Sequence, residues 1–156
     1  MKDDALPPCG LYRTLTNIAE IPAGRLVYFH NHGNPGAGLY LPSGWKGNRA
    51  RFAANGMVLP EPSAATQLFP LPAEGFYRVA EAFHCCAKQC RLFEVEALVQ
   101  LGYDGAGQPL LFLPELVDGL LGVPDRGTRI DDDTLPRLRA LRVAVSRDAH
   151  ADGVVH

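Results

Sequence analysis

Between Phe93 and Leu101 apolar and polar residues alternate: Phe93, Val95, Ala97, Val99 and Leu101 fall on one face, and Glu94, Glu96 and Gln100 interleave. A period of two predicts a strand with one wet side. Upstream, Leu11 to Ile18 reads as a strand, Ile21-Pro22-Ala23-Gly24 as a turn, and Arg25 to His30 as a strand dense in β-branched and aromatic residues. His32 to Gly38, with one Pro and three Gly, must be a loop, after which Leu39 to Leu41 returns antiparallel. Asn55-Gly56 stands between the apolar runs Arg51–Ala54 and Met57–Leu59 and predicts a type I′ hairpin, whose central residues both need positive φ. Ser63 to Phe69 reads as a short helix capped by Ser63. Asp131-Asp132-Asp133 precede a second one, Thr134 to Leu141, striped by Leu135, Leu138 and Leu141. Val79 to Arg91 fits either period, and an extended hairpin is the preferred reading.

These elements occur twice. Gly10-Leu11-Tyr12-Arg13 returns as Gly75-Phe76-Tyr77-Arg78, Leu26-Val27 as Leu98-Val99, and Leu39-Tyr40-Leu41-Pro42 as Leu111-Phe112-Leu113-Pro114. Asn55-Gly56-Met57 returns as Arg126-Gly127-Thr128, and Leu68 and Leu71 as Leu138 and Leu141. The offset runs 65, 72, 71, 70, so order is kept while loop lengths drift. The expectation is a mainly β protein, a tandem duplication of two small SH3-like β-barrel modules with one short helix near the end of each. Its parts are a lead-in (1–9), module 1 (10–72), module 2 (73–145) and a polar tail (146–156). Modules this small bury only about 60% of their unfolded surface, so the two are expected to share core.

Charge changes the picture by splitting it. Residues 1–72 hold six Lys/Arg and four Asp/Glu, whereas residues 73–156 hold nine and thirteen, making the halves +2 and −4. Neither is basic enough for general nucleic-acid binding. No apolar run reaches the length of a membrane span or a signal peptide, so the expectation is a cytoplasmic protein with no membrane partner whose Cys9, Cys85, Cys86 and Cys90 are thiols.

Candidate chemistry is sparse. The second copy carries seven extra residues around His84-Cys85-Cys86-Ala87-Lys88-Gln89-Cys90, where three thiols and an imidazole offer soft ligands of the kind Zn²⁺ or Cu(I) selects. Adjacent cysteines in a strand point to opposite faces, which argues for small buried hydrophobes instead. In the first copy His30 and His32 share a face of one strand end. Gly24 followed after five residues by His30-Asn31-His32 resembles the first half of the cupin metal motif, which implies a metal-dependent enzyme. The resemblance covers nine residues; Gly33 to Gly38 lacks the carboxylate that continues it. No nucleophile elbow, P-loop or dinucleotide fingerprint is present. Tyr12-Arg13 and Tyr77-Arg78 read as wall tyrosines with outward arginines. Tyr28, Tyr40 and Trp45 are aromatic where the second copy has Gln100, Phe112 and no Trp, which marks a candidate groove.

The sequence therefore predicts a non-catalytic interaction module without a cofactor, a regulatory adaptor or an immunity-type protein, that binds a protein or peptide through Tyr28, His30, His32, Tyr40 and Trp45. A cupin-like enzyme or metal or redox sensor using His30/His32 or the Cys85–Cys90 cluster is one alternative. A small ligand between the modules is another.

Overall fold

The computed structural model describes residues 6–146, so most of the expected tail and half of the lead-in lie outside the described residues. The chain is β-rich. Its first half runs β1 (Gly10–Thr14), β2 (Leu26–His30), β3 (Gly38–Tyr40), β4 (Pro42–Lys46), β5 (Arg49–Phe52), β6 (Met57–Val58), a 3₁₀ turn (Pro62–Gln67) and β7 (Leu68–Pro70). The second runs β8 (Gly75–Val79), β9 (Phe83–His84), β10 (Leu92–Phe93), β11 (Leu98–Tyr103), β12 (Pro109–Phe112), β13 (Glu115–Val117), β14 (Leu120–Gly122), β15 (Thr128–Arg129), a 3₁₀ turn (Asp132–Arg137) and β16 (Leu138–Ala140).

Each half builds a five-stranded antiparallel sheet in the same spatial order, β6-β3-β2-β1-β7 and β15-β12-β11-β8-β16. Neither ladder closes into a barrel among the described residues; each ends on two short edge strands. The register also repeats, with Tyr28 opposite Tyr40 in one sheet and Gln100 opposite Phe112 in the other. Both repeated tyrosines are buried. The Tyr12 hydroxyl donates to the Pro8 carbonyl at 2.7 Å and the Tyr77 hydroxyl to the Ala73 carbonyl at 2.6 Å, four residues upstream in each case.

Two apolar clusters follow from the alternation along the strands. Tyr12, Val27, Phe29 and Leu39 form the first half's core, and Tyr77, Val79, Val99, Leu101 and Leu111 form most of the second's. Each fully buried Val, Leu or Phe contributes about 1.5–3 kcal/mol. Leu26, Ala50 and Leu71 of the first half belong to the second cluster, so the halves share core as expected.

Several local expectations are corrected. The alternation from Phe93 to Leu101 is not one strand: β10 stops at Phe93, and a turn with Glu96 at φ 69° leads into β11. Val95 is thereby exposed and Gln100 buried, the reverse of the expected sides. Asn55-Gly56 is not a hairpin turn, because β5 pairs with β4 and β6 with β3. Gly56 is required there for a different reason: a Cβ would lie 2.6 Å from the Leu39 carbonyl oxygen. Each half carries the expected short helix, but as six residues of 3₁₀ helix; Ser63 makes no cap, and Leu138 starts a strand instead of continuing a helical stripe. The strand beginning at Leu11 stops at Thr14, with Ile18 and Ile21 forming an isolated bridge. The extended hairpin expected within Val79–Arg91 is present but runs further: β9 lies inside those bounds, β10 just beyond them, and the seven-residue insertion lies between the two strands.

Candidate functional site

Two hairpins leave the sheets at equivalent places. In the first, β4–β5, the turn residues Gly47 and Asn48 have φ 59° and 66°; in the second, β13–β14, Asp118 and Gly119 have φ 52° and 79°. Both are turns with positive φ at both centres, the geometry that matches strand twist. Trp45 lies opposite Ala50 in one, and Leu116 opposite Leu121 in the other.

Their surroundings differ completely. Hairpin β4–β5 lies across the outer face of the second half's sheet. The Trp45 indole N–H donates to the Tyr103 carbonyl at 2.8 Å, and Asn48 Nδ2 donates to Gln100 Oε1 and to the Pro124 carbonyl, each at 2.9 Å. Gln100 Nε2 in turn donates to the Gly47 carbonyl at 3.1 Å. A Cβ at Gly102 would sit 2.7 Å from the Asn48 carbonyl oxygen, so this backbone approach requires glycine. Gln100 is buried only because Asn48 and Gly47 satisfy both ends of its amide, as a desolvated polar group requires. A cleft lined by Trp45, Tyr103, Leu110 and Phe112 remains along this seam.

The corresponding face of the first sheet is partly covered: Phe52 of β5 packs against Tyr28 with ring centroids 5.8 Å apart, and Leu26 lies in the core shared with the second half. Tyr28, His30 and Tyr40 stand where the second sheet has Gln100, Gly102 and Phe112, and all three are half-buried, whereas Gln100 and Phe112 are 4% and 5% exposed. Of the expected binding residues, Tyr28, His30 and Tyr40 therefore share one sheet face. His32 follows just beyond it. Trp45 does not join them; it belongs to the seam between the halves. Hairpin β13–β14, by contrast, is uncovered among the described residues, with Leu116, Val117, Leu120 and Leu121 at 72%, 59%, 75% and 61% exposure. Sequence reasoning missed these four residues. The available signal was a Leu-Val-Asp-Gly-Leu-Leu run whose turn is flanked by apolar residues on both sides.

Cys9 is a fifth residue whose role the sequence reading passed over. Ligand atoms of Cys9, His30 and His32 all lie within 4.8 Å of one another. Cys9 Sγ is 3.6 Å from His30 Nδ1, and the two imidazole centroids are 4.0 Å apart. Asn31 holds the group: its backbone N–H donates to Cys9 Sγ at 3.3 Å, its Nδ2 donates to the Pro7 carbonyl, and its Oδ1 lies 2.8 Å from His32 Nδ1. An Nδ1–H donated to Oδ1 leaves His32 Nε2 free as a ligand, the outer arrangement metal-binding histidines use. His84, Cys85, Cys86 and Cys90 form no such group. The expectation that Cys85 and Cys86 diverge is nevertheless corrected, since their sulfurs are 3.6 Å apart where the chain leaves β9. The Cys86 thiol is held below its ordinary range, chiefly by the Lys88 backbone N–H and then by Cys85, and the charge of Cys86 pushes Cys90 up.

Across the halves, Arg13 clamps Asp132 with Nη1 at 2.9 Å, while its guanidinium covers Phe69 at 4.9 Å. That gives Asp132 of the acidic run a structural partner. No family model, curated protein or solved structure matches the chain. No helix of the described residues is long and apolar enough to cross a membrane.

Proposed function

We propose that the chain is a non-catalytic interaction protein of two duplicated SH3-like modules, residues 10–72 and 73–145, that engages a protein partner through hairpin β13–β14. The module reading is supported by the repeated five-strand order with a short 3₁₀ helix just before the last strand. The observation that carries the function is the hairpin itself, four large exposed apolar side chains on a two-stranded element that pairs with no other strand among the described residues. Isolated hairpins are marginal and exposed apolar patches mark contact surfaces. Free thiols at all four cysteines fit a reducing compartment such as the cytosol. Immobilised wild type and a Leu116→Asp/Leu121→Asp variant, compared against native-host extract, test the reading: a partner retained by the first and lost by the second supports it, and equal retention by both refutes it.

The Cys9, His30 and His32 group favours a second reading, transition-metal binding. One thiolate and two imidazoles suit Zn²⁺, with a fourth position left for water or another ligand. Cobalt titration should then give one equivalent with thiolate-to-metal charge transfer that disappears in Cys9→Ser; absence of the band in wild type would exclude the site.

A further inference from the structure

We propose that Cys86 and Cys90 are a redox-active thiol pair, which hydrogen peroxide converts to a disulfide across the tip of hairpin β9–β10. The site is separate from the β13–β14 surface and from the Cys9 group.

Three of the four cysteines lie where the second half adds seven residues to the plan of the first. The hairpin gives each a different place. Phe83 pairs with Phe93 and His84 with Leu92. The Cys85 N–H then donates to the Arg91 carbonyl at 2.9 Å, which carries the register one step further. Cys86 and Cys90 are therefore the next residues to face each other. Between them Ala87, Lys88 and Gln89 make a three-residue loop, in which the Gln89 N–H donates to the Cys86 carbonyl at 2.9 Å and Gln89 has φ 56°. A turn ending on a left-handed residue is a common three-residue hairpin connection, and it holds the flanking residues opposite one another.

Facing residues of an antiparallel pair have Cβ atoms about 4.5–5.5 Å apart, and a disulfide takes about 3.5–4.5 Å. A small closure of the tip bridges the difference, and Ala87 to Cys90 are all exposed, so the tip is free to make it. The same measure disfavours Cys85 with Cys86. Their sulfurs are 3.6 Å apart, but their Cα atoms are held about 3.8 Å apart across one peptide, short of the roughly 4.4 Å at which disulfides begin.

Cys85 has another part. It is buried, and its thiol donates to Cys86 Sγ, which stabilises the charged form of its neighbour. Cys86 is half-buried and Cys90 exposed, so an oxidant reaches both. The depressed pKa of the Cys86 thiol, set chiefly by the Lys88 backbone N–H and then by Cys85, points the same way, since thiolate is the reacting form.

The Cys86 thiolate attacks one peroxide oxygen. The S–O bond forms as the O–O bond breaks, and the other oxygen leaves as hydroxide and takes up the proton that Cys86 had released. The product is a Cys86 sulfenic acid. Loss of the Cys86 charge removes what chiefly held the proton on Cys90. The Cys90 thiolate then attacks the Cys86 sulfur, the S–S bond forms, and the departing hydroxide takes the Cys90 proton. Two thiols and one hydrogen peroxide thus become one disulfide and two waters.

The full chain, reduced and freed of reductant, is treated with hydrogen peroxide, alkylated, cut with trypsin and read by mass spectrometry. Trypsin cuts after Lys88, between the two cysteines, so only a disulfide keeps the peptides carrying Cys86 and Cys90 joined. Wild type should lose two of its four alkylatable thiols and yield that joined pair from monomeric protein. Cys90→Ser should stop at a sulfenic acid trapped on Cys86 by dimedone, and Cys86→Ser should give no joined pair; circular dichroism verifies that both variants fold. A joined pair that persists in Cys86→Ser places the bond on Cys85 and overturns the assignment. So does a pair joined only between two molecules, read as a dimer on a non-reducing gel. Cys86 and Cys90 both still alkylated in wild type, at a peroxide dose that oxidises free cysteine in the same tube, overturns the redox-active pair itself.

Discussion

At the scale of single residues, Glu74 is the clearest case of a position tuned against its own charge. Its carboxylate accepts the Ala50 backbone N–H at 2.9 Å beneath the first hairpin. Burial pushes its pKa up, and the Ala50 amide and the Arg49 guanidinium only partly offset that. A carboxyl raised in the folded state favours folding while protonated, so its contribution is present below the ordinary carboxylate range and is lost as pH rises through the folded value. Glu74→Gln keeps an acceptor for Ala50 without the charge. Its melting temperature should exceed that of wild type at pH 7, and the difference should shrink toward zero by about pH 4; a difference independent of pH would contradict this assignment. Gln100 makes the complementary point. It reads as a wet-side residue from its neighbours and is buried because Asn48, 52 positions away, bonds its amide. No local pattern encodes that distance.

The elements themselves were legible where periodicity and repetition agreed. β1, β2, β3, β8 and β12 and the loop after His32 follow from the spacing of apolar residues and glycines, whereas the spacing alone did not separate β10 from β11. Turn chemistry was less legible. Asn55-Gly56 and Gly47-Asn48 both offer residues that tolerate positive φ, and which pair makes the hairpin depends on the strands that register beside it. Gly56 is needed instead for clearance beside Leu39 and the Tyr40 ring, and Gly127 for clearance beside the Phe112 ring, where a Cβ would come within 2.9 Å. Gly56→Ala should cost about 2–3 kcal/mol, at the upper end of overpacking penalties, because its nearest obstacle is a backbone carbonyl rather than a movable ring. Urea midpoints give the comparison: Gly127→Ala should lose less than Gly56→Ala, and equal losses would show that the carbonyl is not the limiting contact. The Cys9, His30 and His32 group was legible in part. His30 and His32 share a strand end, but Cys9 reaches them from a segment 21 residues earlier in sequence, held by Asn31.

For the whole molecule, the consequential feature is a pair of hairpins at equivalent places in the two halves, one built into the seam and one exposed. The first half's hairpin, the shared core residues Leu26, Ala50 and Leu71, and the Arg13–Asp132 clamp bind the halves together. The second half's hairpin repeats the first in turn geometry while exchanging polar anchors for leucines and basic residues for acidic ones. A polar, satisfied hairpin suits a permanent internal seam. An apolar one left in water suits a partner that arrives later. The recurring motifs were visible in the sequence, and so was the charge difference between halves; which of the two hairpins is covered required the strand register and the burial of equivalent residues. Amide hydrogen exchange of the chain alone and with a partner captured from native-host extract tests this account most directly. Backbone amides of 115–122 should gain protection when the partner is present, while those of 42–52, already covered, stay unchanged; exchange across 115–122 that is equally fast with and without the partner would contradict it.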